Sequence, residues 1–310
     1  MIDYGKLENE DSIIHSLVES HFGECVLRIQ RQYFGHNSIT YDIQTPSRCL
    51  ILRTNANPEA FLSTQSNLQV LRDMKLPVSE VLACDLSFSQ VPFGYMFVSK
   101  FPGRDLNYEL PFMSEIQMSR LAETLVGYQR KVGALAEGDG FGWVGIGNRG
   151  THQSWQELIR AEKIFHFREA PKEIVSRIST LSKLLPKFQT YLNAVRPICF
   201  LDDITVKNVI MRNGELQGLI DFDCVCYGDP LYWIALTATG IVSDIGLERL
   251  FYVEELKRFW GLAELEERAL SLYSALFALD FYLSGSTTQT QDWRDRMTFQ
   301  IDEQLDRAVN

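Results

Sequence analysis

The chain contains no uninterrupted apolar stretch of the roughly 18 residues that a membrane-crossing helix needs. Its first residues, Met1-Ile2-Asp3-Tyr4-Gly5-Lys6-Leu7-Glu8, carry acids and no apolar signal core. A cytoplasmic protein with no membrane partner is therefore expected. Cysteine is sparse, with six in 310 residues, and only Cys224 and Cys226 stand close together. Two further ligands at zinc-site spacing are missing, so reduced, buried thiols are expected rather than a metal centre or a disulfide framework. Positive charge is in deficit: 30 Lys and Arg face 40 Asp and Glu, for a net charge of −10. That balance argues against nucleic acid or an anionic membrane as partner and is compatible with a cationic small molecule. Internal repeats, low-complexity tracts and disordered linkers are also lacking. A hydrophobic content of 45% over 310 residues is enough for a large core and for two lobes.

One stretch, Cys199 to Trp233, organises the rest. Asp203 stands five residues before Asn208. Two short apolar runs follow, Val209-Ile210-Met211 and Leu216 to Ile220, separated by Asn213-Gly214. Apolar runs joined by Asn-Gly predict a β-hairpin. The hairpin returns Asp221 to the neighbourhood of Asn208, so two acids and an amide converge. Phosphoryl transfer from a nucleotide uses such a set. One carboxylate takes the proton of the acceptor hydroxyl, while an amide oxygen and a second carboxylate suit a hard cation on the phosphates.

The segment L-D-D-I-T-V-K-N, the hairpin, I-D-F-D and then Gly228-Asp229-Pro230 resemble the catalytic segment of the aminoglycoside phosphotransferase and choline kinase-like family. The usual pattern there is H-G-D-x-x-x-x-N, a hairpin, I-D-[FW] and G-D-P. The resemblance implies an α+β, bilobal protein-kinase-like fold. It implies ATP and Mg2+ as cofactors and a small-molecule hydroxyl acceptor, such as an aminoglycoside, an amino alcohol or a sugar. It assigns the base to Asp203 and the metal to Asn208 and Asp221. Leu201 and Asp202 replace the usual His and Gly, and Lys207 adds a cation beside Asn208. Asp202 is a rival base, disfavoured by the spacing to Asn208, and Asp223 a flanking acid. The departures keep a second reading open, a kinase-like protein that binds nucleotide without transferring phosphate.

Along the chain, helical spacing over residues 9–22 is followed by strand patterns at Cys25–Gln30, Ile39–Ile43 and Arg48–Arg53. The turn between the first two, G-x-N-S-x-x-Y, resembles the family's phosphate-covering loop, with Gly35, Asn37 and Ser38 as candidates. Gly35 would let backbone N–H groups approach phosphate. The resemblance makes Arg53 the phosphate cation. The helix predicted over Pro58–Met74 offers Thr64 where the family has a Glu to pair with that cation, and Glu59 lies more than a turn away. Strands at Glu80–Leu86 and Tyr95–Ser99 lead to Lys100-Phe101-Pro102-Gly103, a hinge in which Ser99 and Phe101 would read adenine through main chain. This places a nucleotide-binding lobe at 1–102 and a helical lobe with the catalytic loop and acceptor region at 103–310. In the latter, helices are expected over 114–134, 153–168, 171–195 and in four segments after Pro230. The glycine-rich loop at 138–147 is read as structural. Most acids of the last helices are expected on solvated faces. Asp280, in A-L-F-A-L-D-F-Y-L, needs a partner or a substrate cation.

Overall fold

Residues 10–32, 38–164, 170–285 and 289–309 are described in the computed structural model. Helix α1 (Glu10–Phe22) lays Ile14, Leu17 and Val18 across a five-stranded sheet. Its strands are β1 (Arg28–Gln32), β2 (Ile39–Gln44), β3 (Cys49–Asn55), β4 (Val81–Asp85) and β5 (Gly94–Ser99), in the order β1-β2-β3-β5-β4 and antiparallel throughout. Alternation along β2 and β3 sends Tyr41, Ile43, Leu50 and Leu52 to the α1 face, as a period of two requires.

Helix α2 (Thr64–Asp73) joins β3 to β4. Its Leu68 and Leu71, with Leu76 and Val78 beyond it, belong to the large core of the helical part rather than to the core under the sheet. The single helix expected over Pro58–Met74 is divided. A short 3-10 turn at Pro58–Phe61, capped by Asn57, precedes α2. The first strand begins at Arg28 instead of Cys25, and Asn37 and Gly35 lie outside the described residues.

Beyond Lys100–Gly103 come β6 (Arg104–Asp105), α3 (Leu106–Glu109) and α4 (Glu115–Gly133). Ser114 and Gln117 form a capping box at the start of α4, the reciprocal arrangement that satisfies two orphan N–H groups. Strand β7 (Gly142–Val144) and helix α5 (Trp155–Ile159) lead to α6 (Lys172–Leu184) and α7 (Gln189–Ala194). The long helix expected over 171–195 is thus broken, by a 3-10 turn at Leu185–Phe188 containing Pro186. Strands β8 (Ile198–Phe200), β9 (Val209–Arg212), β10 (Glu215–Leu219) and β11 (Val225–Gly228) lie in the Cys199–Trp233 stretch, β8 beginning just before it. Helices α8 (Leu231–Asp244), α9 (Phe251–Trp260), α10 (Glu264–Ser284) and α11 (Gln291–Val309) complete the chain. Among the described residues no helix is long and apolar enough to cross a membrane.

Candidate active site

The predicted hairpin is β9 paired antiparallel with β10. Its turn places Asn213 at φ 55° and Gly214 at φ 76°, the left-handed pair that favours Asn-Gly. Beyond the ladder, the Ile220 N–H donates to the Asn208 carbonyl at 3.0 Å, which brings Asp221 beside Asn208. The two-residue β6 pairs with β9 and escaped the sequence reading, being too short for any period to show. At Gly218 of β10 the Phe101 ring lies where a side chain would be, 2.3 Å from an added Cβ, so the hinge rests directly on the hairpin.

The loop from Leu201 to Asn208 is held by three residues from outside it and by its own Asn208. Gln129, buried in α4, accepts from the Leu201 N–H at 2.9 Å and donates to its carbonyl at 2.7 Å. The indole N–H of Trp233 donates to the Ile204 carbonyl at 3.0 Å, and the Asn107 N–H to that of Val206 at 2.8 Å. Asn208 Nδ2 donates to the Asp203 carboxylate at 2.8 Å and to its carbonyl at 2.9 Å. The amide nitrogen of Asn208 is thereby committed to Asp203, and its oxygen is the atom left to face a cation. Leu201, standing where the family has His, is buried, and its backbone rather than its side chain carries the loop's support.

Asp203 is exposed to solvent, with the Thr205 hydroxyl and the Asn208 amide donating to its carboxylate at 3.2 and 2.8 Å. Desolvation first, then the Asp221 charge, push its carboxyl up to about 6, against hydrogen bonds from Thr205 and Asn208 and the charge of Lys207. Asp202 receives the Trp143 indole N–H at 2.6 Å. Burial and the Asp203 charge push its carboxyl up to about 7. That hydrogen bond turns Asp202 toward Trp143, whereas Asp203 is the acid tied to Asn208. Lys207 does not stand free: it pairs with Asp244 at 2.8 Å.

Raised acids have a consequence for stability. Unfolded, Asp202 ionises near the ordinary value of 3.8; folded, it keeps its proton up to about 7. Between those values the folded state binds more protons, so its stability falls as pH rises, and the cost is complete above pH 7. Asp202→Asn keeps an acceptor for Trp143 and removes that cost. The variant is expected to melt a few degrees above wild type at pH 8 in chelator, with the gap closing by pH 4. Thermal scans across pH check this, and an equal gap at both ends would contradict it.

Arg53 ends in the same cluster. Its guanidinium makes a bidentate pair with Asp223, at 2.7 and 2.6 Å, and reaches Asp221 and the Ser38 hydroxyl at 3.4 Å each. Burial works against its charge, and Asp223 and Asp221 together more than offset this, so Arg53 is held above its ordinary value. Burial also raises Asp221, opposed by Arg53 and reinforced by Asp223. Thr64, at the position where the family has Glu, donates its hydroxyl to Asp223 at 2.8 Å. The partner of Arg53 is thus Asp223, not Glu59, and the threonine supports that acid.

At the hinge, the Ser99 N–H is spent on the Glu80 carbonyl at 2.9 Å, and its hydroxyl accepts from the Glu80 N–H at 2.9 Å. Asp280 has its partner within the chain, Lys163 at 2.6 Å, with the ammonium also 4.9 Å from the Phe277 ring centre. Asp229 of Gly228-Asp229-Pro230 is buried. It accepts from Tyr191 at 2.7 Å, Tyr273 at 2.8 Å and the Leu231 N–H at 3.0 Å, a structural hub that joins α7 and α10 to the start of α8. Gln129, Asn67 and Trp233 were not singled out in the sequence. The two amides could have been, as polar residues inside the apolar stripes of α4 and α2.

Asn208 and Asp221 offer an amide oxygen and a carboxylate, hard oxygen donors of the kind magnesium takes. Four acids, at 202, 203, 221 and 223, lie close together with Arg53 paired to the last two, and the raised protonation of Asp202, Asp203 and Asp221 is what a bound cation would relieve. The residues present therefore fit such an ion.

Comparison with known proteins follows this geometry. Residues 34–270 match the profile of the phosphotransferase enzyme family. A curated relative, hygromycin-B 4-O-kinase from Escherichia coli, is 22% identical over 208 residues, covering 65% of this chain. The match spans 59% of that enzyme's length. Among solved structures, a thermostable mutant of aminoglycoside phosphotransferase APH(4)-Ia in complex with AMP-PNP and hygromycin B superposes with a TM-score of 0.70 at 19% identity, over 96% of this chain and 99% of that one. APH(2″)-IIIa with GDP and kanamycin gives a TM-score of 0.64 at 14% identity, over 93% and 97%. The protein-kinase-like fold expected from the sequence is the fold observed, and the chain belongs to the phosphotransferase enzyme family.

Proposed function

We propose that this protein transfers the γ-phosphoryl group of ATP to a hydroxyl of a small molecule, an aminoglycoside or another amino or sugar alcohol. The observation that carries the reading is the Asn208 amide fixed on Asp203 while the hairpin sets Asp221 alongside. Asp203 orients the acceptor hydroxyl and takes its proton as the oxygen attacks the γ-phosphorus. The bond to the bridging oxygen breaks and ADP leaves. Magnesium, when bound, would supply positive charge against the phosphates, and the Asn208 oxygen and Asp221 would hold it. Arg53 is close enough to Asp221 to serve the phosphates from the opposite side.

The nucleotide enters between an N-terminal nucleotide-binding lobe, residues 1–102, and the helical lobe, residues 103–310. With its N–H engaged, Ser99 contributes its carbonyl, and Phe101 its N–H, to the adenine edge. Ser38 adds a hydroxyl beside Arg53.

The test is release of ADP from Mg·ATP, measured with purified protein across a panel of cationic and neutral hydroxyl compounds. Release above the acceptor-free rate with at least one compound class is expected. Tight Mg·ATP binding with no acceptor-dependent release would replace this reading by that of a nucleotide-binding module.

A further inference from the structure

Asp221 has φ 69°, a left-handed conformation that a non-glycine residue holds only when its surroundings impose it. On its N-terminal side the constraint is the Ile220 N–H on the Asn208 carbonyl. On its C-terminal side it is a residue of α2. Asn67, fully buried, donates Nδ2 to the Phe222 carbonyl at 2.9 Å, with the Asp223 carbonyl at 3.4 Å from the same nitrogen. Its Oδ1 accepts from the Ile146 N–H at 2.8 Å, in the glycine-rich loop after β7. One side chain thus joins three segments: α2, the Asp221–Asp223 turn and the 145–148 loop. The helix bearing it is itself immobilised, because Leu68 and Leu71 lie in the large core.

We propose that Asn67 is a positioning residue that holds the Asp221–Asp223 turn in its strained conformation, so that the Asp221 carboxylate faces the nucleotide-bound cation. This rests on the phosphotransfer reading only in naming the cation; the restraint on the turn stands apart from it. Asn67 touches neither phosphate nor metal. Its two functions separate chemically: the oxygen secures the 145–148 loop, and the N–H group secures the turn. Asn67→Asp retains the first and loses the second, and sets a negative oxygen against the Phe222 carbonyl.

Hydrogen exchange of the intact protein, without nucleotide, tests the restraint. In N67D the amides of residues 220–224 are expected to exchange roughly 10-fold faster, while the rest of the chain keeps its protection. Asn67→Ala should expose the same amides and those near Ile146. Magnesium titration of AMP-PNP binding gives the second readout, with a midpoint raised about 10-fold in N67D, as for other groups that orient a metal ligand. The idea fails if exchange at 220–224 is unchanged, or if it rises evenly along the chain as in general destabilisation. Should wild type show no magnesium-dependent nucleotide binding, the phosphotransfer reading fails, and the exchange data still decide whether Asn67 restrains the turn.

Discussion

Replacing Asp203 by asparagine should lower turnover by about 10²- to 10⁴-fold, the usual worth of a positioned general base. Nucleotide binding should be nearly unchanged. The asparagine keeps an acceptor for the Asn208 Nδ2, which donates to the aspartate at 2.8 Å, so the loop is not released. Only proton uptake is lost. Wild-type turnover should also fall as pH drops, because the base must be ionised and its carboxyl is held up at about 6 by burial and by Asp221. A cation at Asp221 cancels part of that repulsion, so the acid limb with saturating magnesium should lie below the value for the metal-free protein. Steady-state rates from pH 5 to 9, with AMP-PNP affinity measured alongside, check both points. Full activity in D203N would remove Asp203 from the reaction and return Asp202 to consideration.

Asp223→Ala is expected to cost about 2–3 kcal/mol of stability, somewhat under the value for breaking a fully buried ion pair because Asp223 is 26% exposed. The loss arises from what is left behind. Arg53, with its side chain only 15% exposed, would keep a buried charge without its bidentate partner, and the Thr64 hydroxyl would lose its acceptor. Arg53 would then turn to Asp221, already 3.4 Å away, and compete with any cation there. Weaker nucleotide binding should therefore accompany the lower melting temperature. Denaturant unfolding measures the first effect and calorimetric titration with AMP-PNP the second. Unchanged stability would show that the pair contributes nothing net. Thr64→Val, which removes a single hydrogen bond to the same acid, should cost about 1 kcal/mol.

The division between what could be read in the sequence and what could not follows the range of the interactions. The Asp203–Asn208 spacing, the hairpin and Asp221 are local, so turn chemistry and a period of two were enough to assemble them. The same holds for α1, α4 and the strands of the sheet. Helix interruptions at Phe61 and Pro186 were missed because apolar spacing continues through them. The Arg53–Asp223 pair spans 170 residues, Asn67–Phe222 spans 155 and Gln129–Leu201 spans 72. No local pattern encodes such contacts; they form only when β3, α2 and α4 are brought by the fold to the Leu201–Asp223 stretch. The threonine at 64 was recognised as a departure, yet its meaning required the acid at 223 to be seen in the same place.

Of the five tryptophans, Trp155, Trp233 and Trp293 are buried and Trp143 and Trp260 half-buried, and Trp143 has its indole N–H on Asp202 at 2.6 Å. The site therefore contains its own optical reporter. Ionisation of Asp202, or arrival of a cation that draws the carboxylates together, changes the electric field across that indole. Emission from the unlabelled protein can follow occupancy, with Trp143→Phe as the blank.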